Sequence, residues 1–254
     1  MALARENRKR EGVAAKRDPG RGFWREEQAR RGPEQQDVLT GAAHPRCLLP
    51  TTKGRRRARQ RIGPGKRSGH GDARPRRVLF VQGGGANTHD AWDKRLVASL
   101  REALGPGYTV RYPRMPDEAS PDPASWNQAI ALELDRLGDG VILVGHSVGA
   151  AVLLDHLGGR ERDRRVAGVF LIATPFIGEE GWPSEALRPT MELALDDATP
   201  VFLYQGTRDD IVPISHLGML AKALPGARIR RLEGRDHQLA DDLSEVARDI
   251  RRLR

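Results

Sequence analysis

The chain has 254 residues, with 43 Lys and Arg against 34 Asp and Glu, and a single cysteine, Cys47. One cysteine excludes an internal disulfide and leaves Cys47 an incidental thiol. No apolar run approaches the roughly 18–20 residues that span a bilayer, and the basic N-terminus lacks the apolar core of a secretory signal, so a cytoplasmic location and no membrane partner are expected.

The surplus of positive charge is local. Residues 1–77 hold 22 basic and 8 acidic side chains, so the remainder is mildly acidic. Residues 1–76 are rich in Arg, Gly, Pro and Gln, and their few apolar residues follow neither a helical nor a strand period. Such a segment cannot bury enough surface to offset its ordering entropy, which predicts a disordered extension. The bases from Lys53 to Arg61, with Lys66 and Arg67, also have the composition of a phosphate-binding arm. Phe23 and Trp24 are the only aromatic residues there, so there is no stacking platform. The solvated-tail reading is preferred, and nucleic acid is not expected as a partner.

From Arg77 the pattern changes, which sets the domain at 77–254. Val78, Leu79, Phe80 and Val81 read as a buried strand, followed by Gln82-Gly83-Gly84-Gly85. Trp92, Leu96, Val97 and Leu100 recur at helical spacing. Residues 108–112 form a second strand, stopped by Pro113. Trp126, Ile130, Leu134 and Leu137 mark a helix, and 141–144 a third strand. Gly145-His146-Ser147-Val148-Gly149 follows, leading into a helix through Val152, Leu153 and Leu154. Further strands are predicted at 166–173, 201–204 and 228–232, with helices over 215–224 and around Leu243, Val246 and Ile250. Strands alternating with helices predict an α/β fold, a mostly parallel six-stranded sheet with helices on both faces. Ligands bind such sheets at the carboxyl ends of the strands, so the loops that follow strands are where chemistry is sought.

The loop after the third strand has the form of a nucleophile elbow, a strand–turn–helix that exposes Ser147 at the top of the sheet. Gly145 and Gly149 suit a turn too tight for neighbouring side chains. A serine hydroxyl needs a base to take its proton as it attacks. The loop after the sixth strand supplies His237, and the loop after the fifth supplies Asp209, with Asp210 and Asp236 as alternative acids. An acid beside the imidazole fixes its tautomer and stabilises the imidazolium. The order serine, acid, histidine is that of the α/β-hydrolase triad. The glycine loop lets backbone approach a ligand, and Gly84, with Gly85 as alternate, would join Val148 in an oxyanion hole.

On these motifs, residues 77–254 resemble the α/β-hydrolase superfamily, and within it the compact serine hydrolases with little or no lid. In such families the acid stands four residues before a proline like Pro213, which favours Asp209. Gln82 is a departure, because many relatives carry histidine before the glycines. The leading antiparallel strands of larger members are not expected.

Between Ala173 and Thr199 there is room for a short lip, with Phe176, Ile177 and Trp182 either lining a substrate pocket or packing on the sheet. The reading is therefore a serine hydrolase acting on small or medium carboxylic esters, needing no cofactor and no metal, since no histidines pair at ligand spacing. The alternatives are an acyltransferase on the same triad and a non-catalytic binding protein whose basic tail contacts nucleic acid or an acidic partner. Oligomeric state is not legible.

Overall fold

The computed structural model describes residues 75–158, 165–184, 186–188 and 199–253. Residues 1–74, on which the expected extension and Cys47 fall, lie outside the described residues, as does 189–198 of the expected lip. The described fold begins within the region assigned to the tail, because Arg76 is the first residue of a strand.

Six strands form one sheet: β1 (Arg76–Val81), β2 (Tyr108–Arg111), β3 (Val141–His146), β4 (Val166–Ile172), β5 (Val201–Gly206) and β6 (Arg228–Leu232). Their order is β2-β1-β3-β4-β5-β6, and every pairing is parallel. The expected mostly parallel sheet is thus wholly parallel. Among the described residues, five α-helices flank it: α1 (Asp93–Leu104), α2 (Pro123–Leu137), α3 (Val148–Gly158), α4 (Ser215–Ala223) and α5 (Ser244–Arg251). The strand ends differ from the sequence reading by a few residues. β3 runs on to His146 and β5 to Gly206, while Tyr112 and Ala173 fall just beyond their strands.

Period-two side chains explain how both faces fill. Val78 and Phe80 point into one apolar cluster with Leu96, Val97 and Leu100 of α1 and Val246 and Ile250 of α5. Leu79 and Val81 point into the other, with Trp126 and Ile130 of α2, the α3 residues and Leu217 and Leu220 of α4. β3 is buried along its whole length, as a central parallel strand must be. The edge strand β6 is mostly exposed. Its Arg230 reaches the Asp249 carboxylate on α5, which also accepts a hydrogen bond from Tyr204. That network lets a basic strand close an apolar sheet.

Local signals start and stop the helices where the site needs loops. Asp122 caps α2 by accepting from the Ser125 amide at 3.0 Å, with Pro123 in the first turn. Gly105 and Gly138 follow α1 and α2 with φ of 73° and 67°, a conformation that favours glycine.

The packing of α3 on β1 leaves no room for a side chain at position 149. A Cβ there would lie 2.1 Å from the Gln82 carbonyl oxygen and 2.8 Å from that of Val81. Gly218, mid-way along α4 and exposed, meets nothing within 4 Å. Gly149→Ala is therefore expected to abolish the cooperative thermal transition or lower it severely, whereas Gly218→Ala raises stability by about 1 kcal/mol. Thermal melts of the two variants check this.

Candidate functional site

The chain turns out of β3 with Ser147 in the left-handed region at φ 52°. For a residue other than glycine this costs about 1–3 kcal/mol, and the surrounding structure imposes it. The Ser147 amide donates to the Ile172 carbonyl at 2.8 Å, and the Ser147 carbonyl accepts from Ala150 and Ala151. On either side, a Cβ at Gly145 would sit 2.7 Å from the Ala150 Cα, and one at Gly149 would strike β1.

The loops after β5 and β6 are zipped together. The Thr207 amide donates to Leu232 O, the Arg208 amide to Arg235 O, and Gly234 N–H to Thr207 Oγ1. A Cβ at Gly206 would lie 2.2 Å from Arg235 O, so only glycine allows this approach. The zipper sets His237 Nδ1 at 3.0 and 2.9 Å from the two Asp209 carboxylate oxygens. A carboxylate accepts, so Nδ1 carries the proton and Nε2 the lone pair.

Asp209 is held as a carboxylate. Burial pushes its pKa up, but the His237 hydrogen bond and charge, with the amides of Val212 and Ile211, outweigh it and leave the group below its usual range. Oδ1 accepts those two amides at 2.9 Å each, and Oδ2 accepts from Gln205 Nε2 at 2.6 Å. The alternatives have other employment. Asp210 is exposed, and Asp236 accepts the Ala240 amide at 2.8 Å. That bond ties down Leu239, Ala240 and Asp241, three consecutive left-handed residues with φ of 50–55°.

The glycine loop after β1 lies against the elbow. A Cβ at Gly83 would be 3.3 Å from Ser147 Cβ, and one at Gly84 would be 3.2 Å from Val148 Cγ2. Its amides are unequally committed. Gly83 N–H donates to Asp93 Oδ2 at 2.7 Å, and Gly85 N–H to the Glu118 carbonyl at 2.6 Å. The Gly84 amide has no acceptor among the described residues. Val148 opens α3, so its amide has no intrahelical acceptor. Of the two glycines considered as oxyanion donors, Gly84 therefore has its N–H available and Gly85 does not. Gln82 is fully buried and takes a structural part: Oε1 accepts from the Met115 amide at 3.1 Å, and Nε2 donates to Glu118 at 2.6 Å.

The sequence reading gave no role to His146 or Asp93. The structure pairs them, with side chains 1% and 0% exposed and Nδ1 2.9 Å from Asp93 Oδ1. His146 Nε2 lies 3.1 Å from the His237 carbonyl oxygen, and the two rings are 4.9 Å apart. This contact sets His237 beside the residue that precedes Ser147. Asp93 carries no motif, and nothing in the sequence distinguishes it from any helix-initial acid. Gln205, the other missed group, was visible only as the residue four before Asp209.

The lip residues divide. Ile177 and Trp182 are buried in the cluster that includes Val148 and Val212, and Phe176 is partly buried against it. The segment folds on itself, with Trp182 N–H donating to Phe176 O at 2.9 Å. It is fastened to α4 where Phe176 N–H donates to His216 Nδ1 at 2.9 Å. Burial holds the His216 pKa below its ordinary value despite the nearby Asp209 charge. Among the described residues no group of three or more His, Cys, Asp or Glu is arranged to hold a metal ion, and no helix is long and apolar enough to cross a membrane.

Several solved structures share this architecture. The ydeN gene product of B. subtilis matches with 21% identity and a TM-score of 0.53, covering 69% of this chain and 97% of that one. A hydrolase described as putative from Agrobacterium vitis S4 matches with 18% identity and a TM-score of 0.53, covering 71% and 90%. The esterase RhEst1 from Rhodococcus sp. ECU1013 matches with 19% identity and a TM-score of 0.52, covering 71% and 92%. At these identities the likeness is one of fold. No curated protein matches the chain. The sequence itself matches the alpha/beta hydrolase family over residues 78–249, a span from the third residue of β1 into α5 that includes Ser147, Asp209 and His237. The chain belongs to the alpha/beta hydrolase family.

Proposed function

We propose that this hydrolase-fold protein is a serine hydrolase that cleaves small or medium carboxylic esters through Ser147, His237 and Asp209. The observation that carries the proposal is the His237–Asp209 pair, whose ring is packed against the elbow residue His146. Asp209 fixes Nδ1–H, so the basic lone pair is on Nε2. Ser147 Oγ attacks the ester carbonyl while its proton passes to Nε2. The oxyanion accepts hydrogen bonds from the Gly84 and Val148 amides, each such donor being worth about 3 kcal/mol in the transition state. The tetrahedral species collapses, and the alkoxide leaves as alcohol with the proton from Nε2. Water then attacks the acyl-serine, giving its proton to Nε2, and the second collapse returns that proton to Ser147 Oγ and releases the acid. Ester cleavage is also the activity named for one structural neighbour, RhEst1.

The left-handed backbone at Ser147 supports the same reading, since such strain persists where surroundings over-determine it and clusters at reactive sites. Phe176, the partly buried residue of the lip, is the side chain we assign to contact with the acyl or alcohol group. Ile177 and Trp182 back it from the core.

A fluorophosphonate probe is expected to label the wild-type protein stoichiometrically and Ser147→Ala not at all, read by intact-protein mass spectrometry. A folded wild-type protein that takes up no label overturns the proposal. With p-nitrophenyl esters, hydrolysis is expected to be fastest for short acyl chains and to require Ser147.

Asp209 also has a stability signature. Its carboxyl pKa is lower folded than unfolded, so its contribution is present above the unfolded value near pH 3.9 and is lost as pH falls through the folded value. Asp209→Asn should therefore unfold at lower urea at pH 7, by about 1–3 kcal/mol. The gap should close below about pH 4. An equal gap at both pH values counts against a paired carboxylate.

A further inference from the structure

The ester-hydrolase reading uses one histidine–carboxylate couple and leaves a second, more deeply buried one unexplained. We infer that His146 is an imidazolium locked between Asp93 and the His237 carbonyl, and that it is a positioning residue for both the nucleophile elbow and the histidine loop.

Both ring nitrogens of His146 face oxygen atoms. Nδ1 lies 2.9 and 3.1 Å from the two Asp93 oxygens, and Nε2 lies 3.1 Å from the His237 carbonyl oxygen. A neutral imidazole has one donor and one lone pair. With a carboxylate on one side, the lone pair on Nε2 would point at a carbonyl oxygen in a site without water's screening. Protonating both nitrogens satisfies both acceptors. Asp93 is fitted to remain the anion: it accepts the Gly83 amide at 2.7 Å, and it stands in the first turn of α1, where the helix dipole favours negative charge.

The charged and titratable groups facing His146 agree. Burial alone would drive the proton off, but the Asp93 charge and hydrogen bond, the His237 carbonyl and the more distant Asp209 charge outweigh it and raise the pKa. His237 approaches from the β6 loop, Asp93 from α1 and Asp209 from the β5 loop. Two of the three are anionic, so the imidazolium sits in a favourable field.

The consequence is mechanical. Through one pair of side chains, Asp93 and His146, the loop after β1 (Gly83), the elbow after β3 and the main chain of His237 after β6 are tied together. None of these groups touches the reacting atoms through His146, yet each carries one that does or holds its neighbour. Loss of the charge would leave the elbow and His237 free to shift by a fraction of an ångström, and misplacement of about 1 Å can cost about a hundredfold in rate.

The positioning role rests on the serine-hydrolase reading, whereas the charge does not, and the tests separate them. In full-length protein labelled with 15N-histidine, and with His146 assigned from the His146→Gln spectrum, both ring nitrogens are expected at imidazolium shifts throughout pH 6–8. A neutral ring anywhere in that range overturns the inference, as does a proton residing on Asp93. Asp93→Asn keeps an acceptor for Gly83 but removes the charge. Its fluorophosphonate labelling rate is expected to fall about ten- to a hundredfold, and with p-nitrophenyl acetate kcat should fall while KM holds. Equal rates in variant and wild type overturn the positioning role. Should Asp93→Asn fail to fold, His146→Gln, which retains a donor toward His237, carries the kinetic arm. The ring shifts of the wild type decide the charge in either case. An unlabelled wild type overturns the hydrolase reading and the positioning role together, and leaves the ring shifts to test the charge alone.

Discussion

The site depends on one close contact, the first turn of α3 lying on the end of β1. Position 149 must lack a side chain because the Gln82 and Val81 carbonyl oxygens occupy that space. The same approach brings the Val148 side chain against Gly84 and the Ser147 Cβ against Gly83. It also drives Ser147 into left-handed backbone, at a cost of about 1–3 kcal/mol. Two strands of sheet pairing and two buried apolar faces hold that strain in place. The elbow at Ser147 is thus a consequence of helix-on-strand packing, to which the Asp93–His146 pair adds a side-chain tie between the glycine loop and the His237 main chain.

The glycine loop shows how hydrogen-bond accounting selects a function for one backbone group among several. Three consecutive glycines offer three amides, and conformational freedom does not distinguish them. Asp93 takes the first and the Glu118 carbonyl takes the third, leaving the middle one. The Gly84 amide, half-buried in its loop, and the first amide of α3 are thus the two main-chain donors that the fold itself does not use. Gln82 makes that arrangement rigid from beneath by bridging Met115 and Glu118. The departure from the resembling families is therefore compensated by local chemistry in the loop after β2.

Much of this was legible in the sequence. Apolar runs of four to six residues ending in glycine or polar loops announce buried parallel strands, and β1, β3 and β5 all obey. The order of Ser147, Asp209 and His237 follows from where those strands end. What was not legible depends on meetings between distant elements. Asp93 and His146 are separated by 53 residues, and an acid at a helix start is ordinarily explained by the helix dipole alone. Ile177 and Trp182 were equally compatible with pocket and core, because apolar side chains after a strand serve either. Their burial with Val148 and Val212 places them in the core layer beside the elbow, a distinction that periodicity does not carry in so short a segment. Asp236 is a plausible acid from its place beside His237 in sequence, but it is the Asp209 carboxylate that faces His237 Nδ1, while Asp236 accepts the Ala240 amide.

The two histidine–carboxylate couples differ in a way that assigns their work. In the proposed triad the His237 ring gains and loses a proton, and Asp209 is bolted by three donors besides the histidine. Those donors hold Asp209 as a carboxylate, the form that the proposed proton transfer at His237 needs beside it. In the other couple, both ring nitrogens of His146 are engaged by acceptors, so its proton count is constant. Removing one member of a buried pair typically costs 3–5 kcal/mol, whereas replacing both by well-packed apolar groups is often neutral or stabilising. Stability alone therefore does not require Asp93 and His146. What an apolar replacement could not reproduce is the direction of their hydrogen bonds, toward the Gly83 amide and the His237 carbonyl. The second couple makes sense as a rigid brace whose value lies in holding those two main-chain groups while the first couple changes charge.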